Sequence, residues 1–323
     1  MLSTPEMNDP TNARARHALL VFNPQAGDIE ASPYQLSEIL TQMQFWNFLV
    51  EVHLVNSESR LERVVRSALR RGIRLVVAAG GDGTVENTAQ ALVDSNATLG
   101  IVPTGTRNNL ALSLGIPLHI TEAVELLRRG QSMRIDVGRA ACGEQNAWFL
   151  ETSSIGLLPA LYPAADDIQH GNLARITELL ATLVTYQPAA MRLTLDGKQV
   201  VETQAYLALV ANAPYFGVNI QVSPLVSFRD HWLDVFVFSN LTKLELIGYA
   251  AAQMAVGGAE DSRILHYRVK QAVIESTPVM PVTADGTVLG TGTLTAGVHA
   301  NSLRVIAGPA HPGMEQMPAG DLL

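Results

Sequence analysis

Two spacings of apolar residues alternate along the first 140 residues of the chain. His17 to Phe22 is a short apolar run, and the Asn23-Pro24-Gln25-Ala26-Gly27 that follows is turn chemistry. Tyr34 to Phe48 carries Leu36, Ile39, Leu40 and Met43 at helical spacing, whereas Leu49 to Val55 alternates as a strand does. Leu61, Val64, Val65, Ala68 and Leu69 predict a second helix, stopping at Gly72, a natural C-cap. Ile73 to Ala79 is a continuous apolar strand, followed by Gly80-Gly81-Asp82-Gly83-Thr84 and a helical pattern to Val93. Leu99 to Val102 predicts another strand, after which Pro103-Thr104-Gly105-Thr106-Arg107-Asn108-Asn109 opens a helix. Thr121 is placed to cap a helix that ends at Gly130. Strands alternating with helices, apolar on both faces, predict a parallel α/β sheet.

After about Arg134 the texture changes. Runs rich in β-branched and aromatic residues dominate: Met191–Leu195, Gln204–Val210, Leu233–Phe238 and Ile264–Ile274. Asp196-Gly197 and Asp285-Gly286 lie between such runs as hairpin turns would. Two helical patterns interrupt, Asn172 to Tyr186 and Leu244 to Val256, the second with Thr242 and Glu245 in capping-box register. The expectation is a second, mostly antiparallel β-rich domain, with Leu303 to Ile306 as a last strand.

Composition removes several classes of function. The mean hydropathy is +0.16 and 47% of residues are apolar, yet no run approaches the roughly 20 apolar residues of a spanning helix. A net charge of −8 is not the footprint of a nucleic-acid binder. There is no G-x-x-x-x-G-K-[ST] for a P-loop and no G-x-S-x-G hydrolase elbow, and the eight histidines never fall at a zinc spacing. The single Cys142 cannot form an internal disulfide, which fits a reducing compartment, and cytoplasmic is the expected location. Residues 1–16 are polar, lack the apolar core of a signal peptide, and read as a disordered lead-in.

The chemistry concentrates in two loops. In Gly80-Gly81-Asp82-Gly83-Thr84, three glycines let the backbone pass close to a phosphate chain with its N–H groups inward, and the helix behind adds a field that favours anions. Asp82 in an anion-binding loop requires an offset to its charge: a divalent metal, or a hydroxyl giving up a proton. The Pro103–Asn109 loop offers donors at Thr106 and Asn108 and a cation at Arg107. Loops at the carboxyl ends of parallel strands converge on the ligand. Arg60, Arg63, Arg66, Arg70, Arg71 and Arg74 cluster on one helix and its exit, and read as a solvated face rather than a headgroup site.

Taken with Asn23-Pro-x-x-Gly27, Gly80–Thr84 and Pro103-x-Gly-Thr-x-Asn108 resemble the bacterial diacylglycerol kinase and lipid kinase family, whose fold is related to NAD kinase. The likeness continues through Leu114–Pro117, Ile135–Gly138, Phe149–Gly156, Ala211–Pro214, Pro224–Asp234 and Asp285-Gly286, and so covers nearly the whole chain. It implies ATP-dependent transfer of phosphate to a lipid hydroxyl at a membrane surface, by an NAD kinase-like α/β domain (17–136, with 303–323 returning to it) and a β-rich lipid domain (137–302). It allows a homodimer. By position it assigns nucleotide contacts to Asn23, Pro24, Gly27, Ser57, Gly80, Gly81, Asp82, Gly83, Thr84, Asn87, Gly105, Thr106 and Asn108. It further implies a structural Mg2+ held by the Asp230 carboxylate with the Ser227 and Trp232 carbonyls.

The chain departs from the pattern mildly at Glu86-Asn87, where Asn-Glu is common, and at two places that matter more. Asn109 stands where the family has Asp, and Thr287 stands where the family's Asp-Gly-Glu supplies a Glu that is a candidate general base. Thr cannot accept a proton near neutral pH, so Asp285 is expected to act as the base, or else Asp82. A catalytically weakened, nucleotide-binding regulator is therefore one alternative, and a kinase of a soluble acceptor such as NAD is another.

Overall fold

The computed structural model describes residues 15–160, 181–182, 185–216, 220–221, 223, 225–239, 241–246, 248–249 and 263–309. The chain divides into two compact units, 1–134 with 303–323, and 135–302.

The first unit runs β1 (Arg16–Phe22), α1 (Ser32–Phe45), β2 (Phe48–Leu54), α2 (Leu61–Arg70), β3 (Leu75–Gly80), α3 (Asp82–Gln90), β4 (Thr98–Pro103), α4 (Asn109–Ser113) and α5 (Ile120–Arg129). β2, β1, β3 and β4 pair in that order, all parallel, and Arg304 and Val305 add a parallel segment beside β4. The apolar runs explain the order. Every residue of β3 and β4 is buried, as central parallel strands require, while β2 at the edge is largely exposed. Helix α1 packs with α5 and α2 with α3. α2 buries Leu61, Val65 and Ala68 and turns its arginines outward. There Arg66 pairs with Glu62 and Arg71 with Glu51, and Arg74 donates to the carbonyls of Leu69 and Ile73.

The second unit contains β5 (Ser132–Cys142, entered from the first unit), β6 (Gln145–Phe149), β7 (Thr152–Gly156), β8 (Ala189–Leu195), β9 (Gln199–Ala211), β10 (Tyr215–Phe216), β11 (Ile220–Gln221), β12 (Leu233–Ser239), β13 (Ile264–Val269), β14 (Gln271–Thr277), β15 (Pro281–Ala284), β16 (Thr287–Thr291) and β17 (Leu294–Ile306). β9 is the spine. Its first half pairs with β8, and its second half lies between β7 and β12, antiparallel throughout. Asp285-Gly286 joins β15 to β16 as a two-residue hairpin, and Asp196-Gly197 with Lys198 joins β8 to β9; both Asp-Gly pairs have positive φ at both residues, as such tight turns demand. Thr242 and Glu245 form the expected capping box: the Glu245 carboxylate accepts the Thr242 N–H at 2.7 Å, and the Thr242 hydroxyl accepts the Glu245 N–H at 3.3 Å.

Three expectations change. The run Ile264–Ile274 is two strands, parted at Lys270, because β13 pairs with β12 whereas β14 pairs with β8. Thr121 lies inside α5, whose N-cap is His119, and its hydroxyl donates to Glu38 at 3.3 Å. The Pro103–Asn109 loop opens a helix of only five residues. Residues 1–14, Pro224 and most of the Asn172–Tyr186 and Leu244–Val256 patterns lie outside the described residues. Among the described residues, no helix is long and apolar enough to cross a membrane.

Candidate active site

Three loops meet at the carboxyl ends of β1, β3 and β4. An added Cβ on Gly105 would lie 2.2 Å from Gly81 Cα and 2.9 Å from Gly81 N, so these loops touch backbone to backbone. Gly27 has φ +65°, and a Cβ there would lie 2.3 Å from the Thr104 carbonyl oxygen. Only glycine permits either approach. Side chains fasten the junction. Asn23 donates through Nδ2 to Thr84 Oγ1 at 3.0 Å while its Oδ1 accepts the Gln25 N–H. Asn108, at φ +55°, closes the 105–108 turn on itself, accepting the Gly105 N–H at 3.1 Å and donating to the Gly105 carbonyl at 2.8 Å. In contrast to Gly105, nothing lies within 4 Å of a Cβ built on Gly83, the first-turn residue of α3 on the open side of the loop.

Asp82 begins α3 beneath this junction. Burial, the dominant influence, pushes its carboxyl above the usual range, against the opposing pull of the Leu110, Asn109 and Asn108 N–H groups and the Arg107 charge. Its carboxylate therefore ties the 80–84 loop to the start of α4. Other residues assigned by position are more peripheral. Pro24 is half-buried in the β1 turn, Thr106 and Ser57 are exposed, and the exposed Asn87 donates to the Gly83 carbonyl at 2.7 Å. At the exit of β2, Ser59 rather than Ser57 is the organising hydroxyl, accepting the Asn56 N–H at 3.0 Å and lying 3.1 Å from His53 Nε2.

In the second unit Asp285 is a structural acceptor. Its carboxylate takes the N–H groups of Leu150 at 2.5 Å, Glu151 at 3.0 Å and Thr152 at 2.9 Å, holding β7 against the β15–β16 hairpin. Adding a proton there would break part of that set. We predict that Asp285→Ala costs about 3 kcal/mol in urea denaturation, because it strands backbone donors. Thr287, two residues on, is exposed at the start of β16.

Sequence reasoning assigned no role to Asp136, a fully buried carboxylate in β5. It accepts the His231 N–H at 2.8 Å and the Asn301 N–H at 2.7 Å, and faces His231 Nδ1 at 3.0 Å. The signal available was an acidic residue inside the apolar run Ile135-Asp136-Val137. Beside it lies the 227–232 turn. Asp230 Oδ1 accepts the Trp232 N–H at 3.0 Å, and Oδ2 receives the Arg268 guanidinium. Ser227 Oγ accepts the Arg229 N–H at 3.3 Å. The carboxylate expected to face a cation thus faces an arginine. Among the described residues no group of three or more His, Cys, Asp and Glu is arranged to hold a metal ion.

A glycine-lined cradle lies on the carboxyl ends of parallel strands with helix α3 behind it, the arrangement with which α/β proteins as a class hold phosphates. Comparison with known proteins names the family. The model for the diacylglycerol kinase catalytic domain matches residues 17–140, and that for the YegS C-terminal NAD kinase beta sandwich-like domain matches 162–307. The diacylglycerol kinase of Bacillus subtilis is 24% identical over 277 residues, covering 84% of this chain and 89% of its own. That of Mycobacterium tuberculosis is 26% identical over 242 residues, covering 73% and 77%. A diacylglycerol kinase crystal structure from Bacillus anthracis superposes with a TM-score of 0.69 at 25% identity, covering 91% of this chain and 97% of that one. The chain belongs to the bacterial diacylglycerol kinase and lipid kinase family.

Proposed function

We propose that the protein transfers the γ-phosphate of ATP to the hydroxyl of a diacylglycerol-like lipid. The observation that carries this reading is the backbone contact of Gly81 with Gly105, which leaves a cradle too close for any side chain but open beside Gly83. In this reading the phosphates of ATP run over the N–H groups of the 80–84 and 104–106 segments, with Asn23 holding Thr84 in place and Arg107 adding positive charge. Catalysis is then mostly positioning and charge neutralisation. A divalent ion arrives with the nucleotide as part of the substrate.

The proton-accepting role moves from Asp285 to Asp82. Both carboxylates accept backbone N–H groups, Asp285 those of Leu150, Glu151 and Thr152 and Asp82 those of Asn108, Asn109 and Leu110. Asp82 is preferred because burial raises its proton affinity and it lies in the loop proposed to carry the phosphates, while Thr287 offers only a hydroxyl. The acceptor class places the enzyme at a membrane surface, on the cytoplasmic side.

Presenting diacylglycerol, a sphingoid base, ceramide and a polyprenol in mixed micelles, with NAD in a parallel reaction, tests the acceptor. Transfer to a lipid and none to NAD is the expected result; transfer to NAD alone refutes it. The commitment of Asp285 and the exposure of Thr287 also favour a second reading, a nucleotide-binding regulator. That reading requires Asp82→Ala to leave turnover untouched while abolishing thermal stabilisation by nucleotide.

A further inference from the structure

We infer that in this chain the 227–232 turn is closed by protein cations and takes no divalent metal: the guanidinium of Arg268 fills the place beside Asp230 that an ion would occupy. Three observations carry this, and none depends on the phosphotransfer reading. First, both Asp230 oxygens are engaged, one by the Trp232 N–H at 3.0 Å and the other by Arg268, with the Asp230 side chain only 8% exposed. A metal ligated there must evict the half-exposed guanidinium already paired with this buried carboxylate, or lie against its positive charge.

Second, the position of Arg268 is fixed by strand pairing rather than by a mobile side chain alone. Arg268 of β13 sits directly opposite Asp234 of β12, and its Nε lies 3.9 Å from Asp234 Oδ1. One guanidinium thus serves two carboxylates four residues apart. The same strand end brings a second cation: Lys270 Nζ is 5.3 Å from the centroid of the Trp232 ring, and Arg268 Cζ is 6.0 Å from it.

Third, the opposite flank of the turn is already tied to the chain. The Phe228 carbonyl accepts the Asp136 N–H at 2.7 Å, and Asp136 in turn holds His231 at φ +62°. With Asp136 on one side and Arg268 on the other, the work of a bridging ion is done by covalently attached groups. Arg268 is therefore a positioning residue, and any Mg2+ requirement of the protein belongs to its nucleotide.

The experiment is thermal melting of the full chain without nucleotide, in EDTA and in millimolar Mg2+, Ca2+ or Mn2+ at matched ionic strength. The wild type is expected to melt at the same temperature in all four. A saturable rise of about 4 °C or more with a divalent ion, lost in Asp230→Asn, overturns the inference. Arg268→Met supplies the converse. It is expected to melt lower in EDTA and to recover with Mg2+ as the ion takes the vacated carboxylate; a variant as stable as the wild type in EDTA overturns the inference. Should Arg268→Met not fold, the wild-type titration decides alone.

Discussion

Asp82→Asn is expected to lower turnover by about 10²–10⁴-fold without lowering the melting temperature at neutral pH. The two halves have one cause. Burial raises the Asp82 carboxyl above its ordinary value, so the folded protein binds this proton more readily than the unfolded chain. Stability from this group is then present at low pH, and is lost as pH rises from its ordinary value to the raised one. At neutral pH the buried charge opposes folding. Asn removes the charge and keeps an oxygen for the N–H groups of Asn108, Asn109 and Leu110. Melting curves across pH beside turnover give the check: a variant that melts well below the wild type at neutral pH makes Asp82 structural rather than catalytic.

Gly105→Ala is the second large effect. Its methyl would need to lie 2.2 Å from Gly81 Cα, and the two nearest atoms it meets, Gly81 Cα and N, are backbone, which cannot swing aside. Overpacking of this kind costs about 1–3 kcal/mol, and it parts the two loops that form the cradle. Loss of nucleotide-dependent thermal stabilisation should accompany the loss of stability. Gly83→Ala is the internal control. Nothing lies within 4 Å of its added carbon, and Ala suits a helix better than Gly by about 0.5–1 kcal/mol. That variant should be as stable as the wild type or more so in urea, yet bind ATP more weakly, because the methyl enters the open side of the loop. If Gly105→Ala kept both stability and nucleotide response, or Gly83→Ala kept full affinity, the phosphate path proposed along 80–84 would be wrong.

Much of the fold was legible because it rests on local signals. Parallel strands buried on both faces announce themselves as unbroken runs such as Leu75–Ala79, and Asp-Gly pairs between β-branched runs become hairpins since few other dipeptides accept positive φ twice. The glycine loops were legible for the same reason. What the sequence did not expose are long-range pairings. Asp136 finds its partners 95 and 165 residues away, at His231 and Asn301, and only the fold brings them together. Arg268 meets Asp230 through the β12–β13 register, which no short window contains. Asp285 was legible as a turn residue and invited a catalytic role. Its three N–H partners come from residues 133 to 135 positions earlier and give its carboxylate a different task.

The most direct test follows the terminal phosphate itself. ATP labelled at the γ-position is incubated with the protein, Mg2+ and diacylglycerol in mixed micelles, and the organic extract is analysed for a phosphomonoester. The proposed function predicts label in a phosphorylated lipid, formed in step with ADP and nearly absent with Asp82→Asn. Label that stays wholly in the aqueous phase across diacylglycerol, sphingoid base, ceramide and polyprenol would contradict it.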